Sequence, residues 1–235
     1  MTLSEEQKKI IKLSSGKHLV LAPPGTGKTE LLSHRVVYAL ENGVSPNEML
    51  CLTFTNRAAK SMRERIESKI SSQNIFIGNI HKFCSHFLYS NKIISRFTAL
   101  LDEEDSELLM REAKEKNYFS DDIKLYELLR LNSFLKQKKL NFPEELILPF
   151  NNKFSFNNSI ENICNTYEEL KNESSLLDFD DLLILTYYNI SKNDHHFKKY
   201  SWIQVDEVQD LNPLQFAIIE LLSDNDAHKV YFGDY

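Results

Sequence analysis

The sequence predicts an α/β protein: a mostly parallel sheet flanked by helices, interrupted by a helical insertion. Five short segments rich in Val, Ile and Phe are apolar and close on turn residues, as buried strands do. Helix-length patterns separate the first three of them, and strands that alternate with helices pair in parallel through crossovers. Between the third and fourth strand segments, roughly residues 92–195, helical periodicity dominates and strand candidates are few.

In chain order, the first strand is expected over "HLVLAP" (18–23), followed by a helix over Thr29–Asn42. The second is expected over "MLCLTFT" (49–55), with a helix over Asn56–Ser71, and the third over "IFIGNIH" (75–81). Within the insertion, "FPEELILPFNNKFSFNN" (142–158) carries two prolines and an Asn-rich stretch, which predicts a loop with a short helix. The last two strands are expected over "WIQVDE" (202–207) and "KVYFGD" (229–234). There is no internal repeat, and the richness in Asn and Lys is a compositional bias.

A chain of 235 residues, 42% hydrophobic and 26% charged with 6 Gly and 6 Pro, is long and apolar enough to fold around a core. The net charge of −6 gives no global footprint for nucleic acid, so a DNA surface would have to be a local basic patch. Cys51, Cys84 and Cys164 lie far apart with no CxxC pair. That pattern fits a reducing compartment and buried thiols, and excludes a disulfide framework or a Cys-based zinc site. The charged start "MTLSEEQKKIIKL" has no apolar signal core, and no apolar run reaches membrane-spanning length. The expected location is the cytoplasm.

"APPGTGKT" (22–29) fits a phosphate-binding loop except that Ala22 stands at the first glycine position. It follows a predicted strand and opens a predicted helix, the context in which backbone N–H groups converge on phosphates. Gly25 and Gly27 allow close approach and unusual dihedrals, Lys28 would reach the β/γ-phosphates, and the Thr29 hydroxyl would ligate Mg²⁺. Pro24, Thr26 and Glu30 complete the expected cofactor-binding stretch. The plain alternative is a Gly-rich turn with a chance GKT. Asp206, at the end of the fourth strand, is placed to hold the metal, and Glu207 to polarise an attacking water. An acidic pair after a strand is more often a solvated turn. Here it falls at the same sheet edge as the loop, where ligands of open α/β folds collect.

These stretches together resemble superfamily 1 DNA helicases of the UvrD/Rep/PcrA type. The resemblance is carried, in order, by "APPGTGKT", "FTNRAAKSMRERI" (54–66), "NIHKFCSHFL" (79–88), "LLDFDDLL" (176–183), "VDEVQDLNPLQ" and "FGDY" (232–235). It spans almost the whole chain. It implies a RecA-like P-loop domain built from residues 1–95 and 175–235, with a helical insertion subdomain over 96–174. "LSEEQKKII" (3–11) resembles the family's adenine-reading motif, with Gln7 as reader. The implied cofactors are ATP and Mg²⁺, with Lys28, Asp206 and Glu207 catalytic and Thr29 and Asp206 on the metal. Arg35 matches an arginine near the nucleotide base, its plain alternative being a solvated helix arginine. Gln209 and Asp210 would couple the nucleotide site to DNA.

On the DNA side, Phe54, Thr55 and Asn56 match residues that meet single-stranded DNA, an aromatic face for a base and polar groups for phosphates. His81 matches a second DNA motif at a strand end, whereas Asn79, Ile80 and Lys82 depart from it. Arg57 and Lys60 follow on a mixed-charge helix that reads as a solvated face. Plain readings serve elsewhere: "KQKK" (136–139) as surface lysines near a helix end, Asp178, Asp180 and Asp181 as capping acids, Trp202 as core. The adjacent histidines of "NDHHFKK" (193–199) lack further ligands at metal-binding spacing.

The resemblance implies binding to single-stranded DNA and to single-strand/duplex junctions, no membrane partner, and 3′ to 5′ translocation. It also implies a second RecA-like domain with arginines that act across the cleft. Neither that domain nor the glutamine that follows the family's Gly-Asp pair lies within these residues. A strand ending at the final residue reads as a boundary imposed on a longer protein, and such a fragment is expected to be weakly active or inactive. A self-contained P-loop ATPase would explain Lys28 and Asp206 but not Phe54–Asn56. A non-catalytic docking module would not need Lys28, Thr29, Asp206 and Glu207.

Overall fold

The computed structural model describes residues 3–23, 25–69, 74–119, 123–139, 158–192 and 196–234. In chain order it begins with α1 (Glu5–Ile11), β1 (Lys17–Leu21), α2 (Lys28–Glu41), β2 (Met49–Leu52), α3 (Asn56–Glu67), β3 (Phe76–Gly78) and α4 (Ile80–Ser90). Then come β4 (Ala99–Leu100), α5 (Glu103–Lys116), α6 (Leu125–Lys139), α7 (Asn158–Glu173), β5 (Leu176–Leu177) and α8 (Phe179–Lys192). The chain finishes with β6 (Tyr200–Val205), α9 (Pro213–Leu221) and β7 (Ser223–Gly233). The loop with a short helix expected over 142–158 falls almost wholly outside the described residues.

By contacts, the chain divides into one unit of Met1–Phe83 with Asn193–Tyr235 and a second of Cys84–Lys192. The second unit is wider than the expected 96–174 because α8 packs on α6 and β5 within it. The entry point also differs, since the division falls inside α4 rather than after it.

The first unit holds a five-stranded sheet in the order β1-β7-β6-β2-β3, parallel throughout. All five strands fall where apolar runs predicted them. β7 starts earlier than expected, at Ser223, because backbone pairing extends into a polar stretch with no strand-like pattern. Every residue of β2 is buried, as a short continuous apolar run predicts for an inner parallel strand. Leu31, Leu32, Val36 and Ala39 of α2 and Met62 and Ile66 of α3 pack with Met49, Cys51, Ile77, Trp202 and Phe232 of the sheet. Trp202 is therefore core, as its sequence setting implied. Burial pushes the Cys51 thiol up to about 12, so it is an inert filler rather than a nucleophile.

The second unit is helical around Met110, Ala113, Leu128, Leu131, Ile160, Ile163 and Tyr167, with the short parallel pair β4 and β5. The Asp178 side chain accepts from the Asp181 N–H at 2.9 Å while Asp181 accepts from the Asp178 N–H at 3.0 Å, a reciprocal cap that starts α8. The capping role read for Asp178 and Asp181 holds, and a second role joins it. Lys171 lies 2.7 Å from Asp178 and 2.6 Å from Asp181, and Lys136 lies 3.0 Å and 2.7 Å from the same pair. Lys136 is thus not the surface lysine expected of "KQKK", whereas Lys138 and Lys139 are exposed. Glu168, Asp178 and Asp181 converge closely enough to hold a cation, and the two ammonium groups are that cation's equivalent.

Among the described residues, no helix is long and apolar enough to cross a membrane.

Candidate nucleotide and DNA site

In an all-parallel sheet every strand points the same way, so the residues after β1, β2, β3, β6 and β7 share one edge. The loop after β1 leads through Gly25 (φ 79°) and Gly27 (φ 84°) into α2. Both glycines occupy left-handed backbone that a side chain would strain, although the space around each is open. The side chain of Thr26 donates to the Pro23 carbonyl at 2.7 Å and braces the turn. Ala22 has no positive φ, so the missing first glycine is tolerated there without strain. Pro24 lies outside the described residues.

Lys28, only 8% exposed, stands at the start of α2 and forms ion pairs with Asp234 after β7 and with Glu207 at 3.2 Å. Burial works against its charge, but the two carboxylates prevail and its pKa is raised. Thr29 donates from its hydroxyl to Asp206 at 3.3 Å. Burial, helped by the Glu207 charge, pushes the Asp206 carboxyl above its usual range. Glu207 holds a left-handed conformation (φ 53°), uncommon for a residue with a side chain and a mark of functional turns. Gln209 donates to Glu207 at 2.8 Å and accepts from the Asp234 N–H at 3.2 Å. Lys28, Glu207, Gln209 and Asp234 therefore close a ring across the ends of β1, β6 and β7. A hydroxyl and a carboxylate meeting beside a buried ammonium form a hard-oxygen donor set suited to Mg²⁺ and a polyphosphate.

Three further expected cofactor residues lie outside this ring. Glu30, half-buried, pairs with Arg65 of α3 at 3.9 Å. Gln7 lies in the first turn of α1, where its side-chain oxygen accepts from the Ser4 N–H at 2.9 Å. Arg35 is neither a solvated helix arginine nor open to a base. It is wholly buried, stacked 4.8 Å from the Trp202 ring centre and bonded to backbone carbonyls after α1 and at its end.

The nucleic-acid residues follow β2 and β3. Phe54 is 56% exposed, beside buried Thr53. Thr55 caps α3 by accepting from Ala58 N–H at 3.1 Å, and Asn56 accepts from the Asn79 side chain at 3.3 Å, tying the two loops together. His81 lies in the first turn of α4, not at a strand end as expected, because Asn79 caps that helix through Lys82 N–H at 2.8 Å. Ile80, which departs from the family's aromatic, is only 6% exposed and serves packing. Asn79 and Asp234 are the site residues that sequence reasoning undervalued. An Asn before a periodic run is a cap signal, and Asp234 lay within a quoted motif.

A P-loop between a parallel strand and a helix, facing an acidic strand end on the same sheet edge, defines a P-loop protein of RecA-like architecture. The family model of the UvrD/REP helicase N-terminal domain matches residues 3–235, and the chain belongs to that family. It is 30% identical over an alignment of 244 positions to an ATP-dependent DNA helicase PcrA of Staphylococcus epidermidis, covering 99% of this chain and 33% of the relative. It is 29% identical to the PcrA of Staphylococcus aureus strain Mu50 with the same coverage. The chain thus spans about a third of the length of these curated relatives.

Proposed function

We propose that this chain is the ATP- and single-stranded-DNA-binding part of a DNA helicase motor that translocates 3′ to 5′ in the cytoplasm. The carrying observation is the strand order. β1, β7 and β6 bear the Lys28, Asp234 and Asp206–Glu207 ends, and β2 and β3, next in line, bear Phe54–Asn56 and Asn79–His81. Neighbouring strands lie about 4.8 Å apart, so the two groups of loops are a few strand widths from one another on one rigid edge.

Gly25, Thr26, Gly27 and Lys28 would cradle the phosphates, with Pro24 and Glu30 flanking them. Thr29 and Asp206 would hold Mg²⁺, Glu207 would orient water, and Gln7 would read adenine. Bound Mg·ATP supplies the phosphoanhydride whose cleavage drives the cycle. The Gln209 ring passes a change at Lys28 to the β7 end, while Phe54, Thr55, Asn56 and His81 grip the strand. The unit that carries the sheet would be the domain proper, and the helical unit, wider than the expected insertion over 96–174, would face single-strand/duplex junctions. A second RecA-like domain outside these residues supplies arginines to the transition state. Such a group is worth about 10³–10⁵ in rate in related phosphoryl-transfer systems.

The test is steady-state ATP hydrolysis and binding by this chain and its Lys28→Ala variant, with and without a single-stranded oligonucleotide. Weak binding of both ligands with little turnover, and loss of ATP binding in Lys28→Ala, is expected. Full-rate hydrolysis indifferent to DNA would identify a self-contained ATPase instead, and failure to bind Mg·ATP a docking module.

A further inference from the structure

Helix α2 begins at Lys28 and Thr29 and carries Arg35 seven residues on, about 10 Å along the axis. From that position Arg35 reaches back to α1. Its Nη1 donates to the carbonyls of Ile10 and Ile11, the latter at 3.3 Å, and Nη2 donates to that of Leu13 at 3.1 Å. The last carbonyls of a helix have no intrahelical partner, and α1 is only seven residues long, too short to be stable alone. Arg35 supplies donors to Ile11 and, just past the helix, Leu13, and a further one to Ile10, whose carbonyl also accepts from the Leu13 N–H at 3.2 Å. Its guanidinium is fully buried, and burial lowers its pKa to about 10, which still leaves it charged at neutral pH. A buried charge persists where its bonds are strong enough to offset lost hydration. Three carbonyls and the face of Trp202 provide them here.

The opposite end of α1 is fixed as well. The Ser4 hydroxyl accepts from Gln7 N–H at 3.1 Å and the Gln7 side chain accepts from Ser4 N–H at 2.9 Å, a capping box that sets the direction of the Gln7 amide. Gln7 is therefore fixed on α1, and α1 is fixed on the same helix that opens with the phosphate cradle.

We propose that Arg35 is a positioning residue for base recognition: by clamping the C-terminal carbonyls of α1 to α2, it sets the separation between Gln7 and the Lys28–Thr29 cradle, and with it the preference for adenine nucleotides. The inference rests on Gln7 as the base reader. It assigns Arg35 no contact with the nucleotide, since no part of its side chain reaches the surface.

The test uses the whole chain and competition of ATP, GTP and inorganic tripolyphosphate against a fluorescent ATP analogue. The proteins are the wild type, Arg35→Lys, Arg35→Met and Gln7→Ala. The expected result is that both Arg35 variants lose most of the preference for ATP over GTP, about tenfold, while tripolyphosphate affinity stays within twofold of wild type. A general structural role would weaken ATP and tripolyphosphate together, and that outcome overturns the proposal. If Gln7→Ala loses the preference and the Arg35 variants keep it, the clamp is wrong and the base reader stands. If Gln7→Ala keeps the preference, the base-reading premise fails and takes the clamp with it. Should the Arg35 variants not fold, hydrogen exchange on the wild type decides. Exchange of α1 amides only with global unfolding supports the clamp, and early fraying of α1 while α2 stays protected overturns it.

Discussion

The Lys28 ammonium is held by the Asp234 carboxylate, so the cation that should meet phosphate already has a protein counter-ion from the far end of β7. Phosphate must compete for it. Asp234 is partly exposed and the pair is correspondingly screened, which makes the competition modest. Asp234→Asn is expected to tighten Mg·ATP binding by about two- to fivefold, the equivalent of roughly 0.4–1 kcal/mol. Titration calorimetry measures this directly. Weaker binding would mean that Asp234 serves the nucleotide rather than opposing it.

Metal binding should be unusually sensitive to acid. Burial and the Glu207 charge raise the Asp206 pKa, against the opposing pull of Thr29 and Lys28. Its carboxylate is the form that binds Mg²⁺, so protons compete at a higher pH than at an ordinary aspartate, whose midpoint is about 3.9. The Mg²⁺-dependent gain in ATP affinity is expected to fade, on lowering pH, before that value is reached. Asp206→Asn should abolish the gain at every pH. A variant that still binds ATP more tightly in Mg²⁺ than in EDTA would remove Asp206 from the metal site.

Phe54 offers an aromatic face at the edge of the sheet next to capped, hydrogen-bonded neighbours. Base stacking on such a ring is worth about 1–3 kcal/mol. Phe54→Ala is expected to weaken oligonucleotide binding by that amount without altering its salt dependence, because no phosphate contact is lost. Fluorescence anisotropy across a salt series separates the two effects. An unchanged affinity would move the strand's path away from this loop.

The buried cluster of the second unit sets its stability. Lys171 is 1% exposed, and removing it leaves Asp178 and Asp181 with Lys136 as their remaining cation. Lys171→Met should cost about 3–5 kcal/mol, read as a lower urea midpoint. The Asp178 carboxyl is held below its usual range because Lys136 and Lys171 outweigh the effect of burial. Its contribution is complete above the unfolded-state value of about 3.9 and is lost as pH falls toward the lower folded value. Asp181 is pushed upward by burial and by the Asp178 charge, so the slope belonging to Asp178 is the difference between wild type and Asp178→Asn. An Asp178→Asn chain with the wild-type pH profile would contradict this assignment.

The sheet strands were legible because burial on both faces writes itself as apolar runs, and the phosphate loop because glycine and lysine spacing is local chemistry. Strand order was not legible, since it depends on which way each crossover returns. The true setting of Arg35 was hidden for a related reason: its partners are backbone carbonyls, which leave no trace in side-chain identity. Lys136 finds its acids on α7 and at the start of α8, more than thirty residues away, so "KQKK" alone could only suggest a solvated end. His81 was displaced from its expected strand by the Asn79 cap, a signal that was present but overshadowed by the apolar run before it.

The position of β7 also bears on how the protein is made. β1 pairs with β7, Lys17 lying opposite Lys229, and β6 with β7 fills the slot between β1 and β2. A ribosome emits β1 before the helical unit and its pairing partner β7 after it, so β6 and β7 are missing from the sheet while that unit is made. Closing so long a loop is entropically slow, and strand edges left waiting are prone to aggregation. Until β7 is made, the nascent chain therefore carries its phosphate loop on a strand whose sheet partner is absent. Nucleotide can reward folding only after β7 has arrived, and it cannot template the steps before.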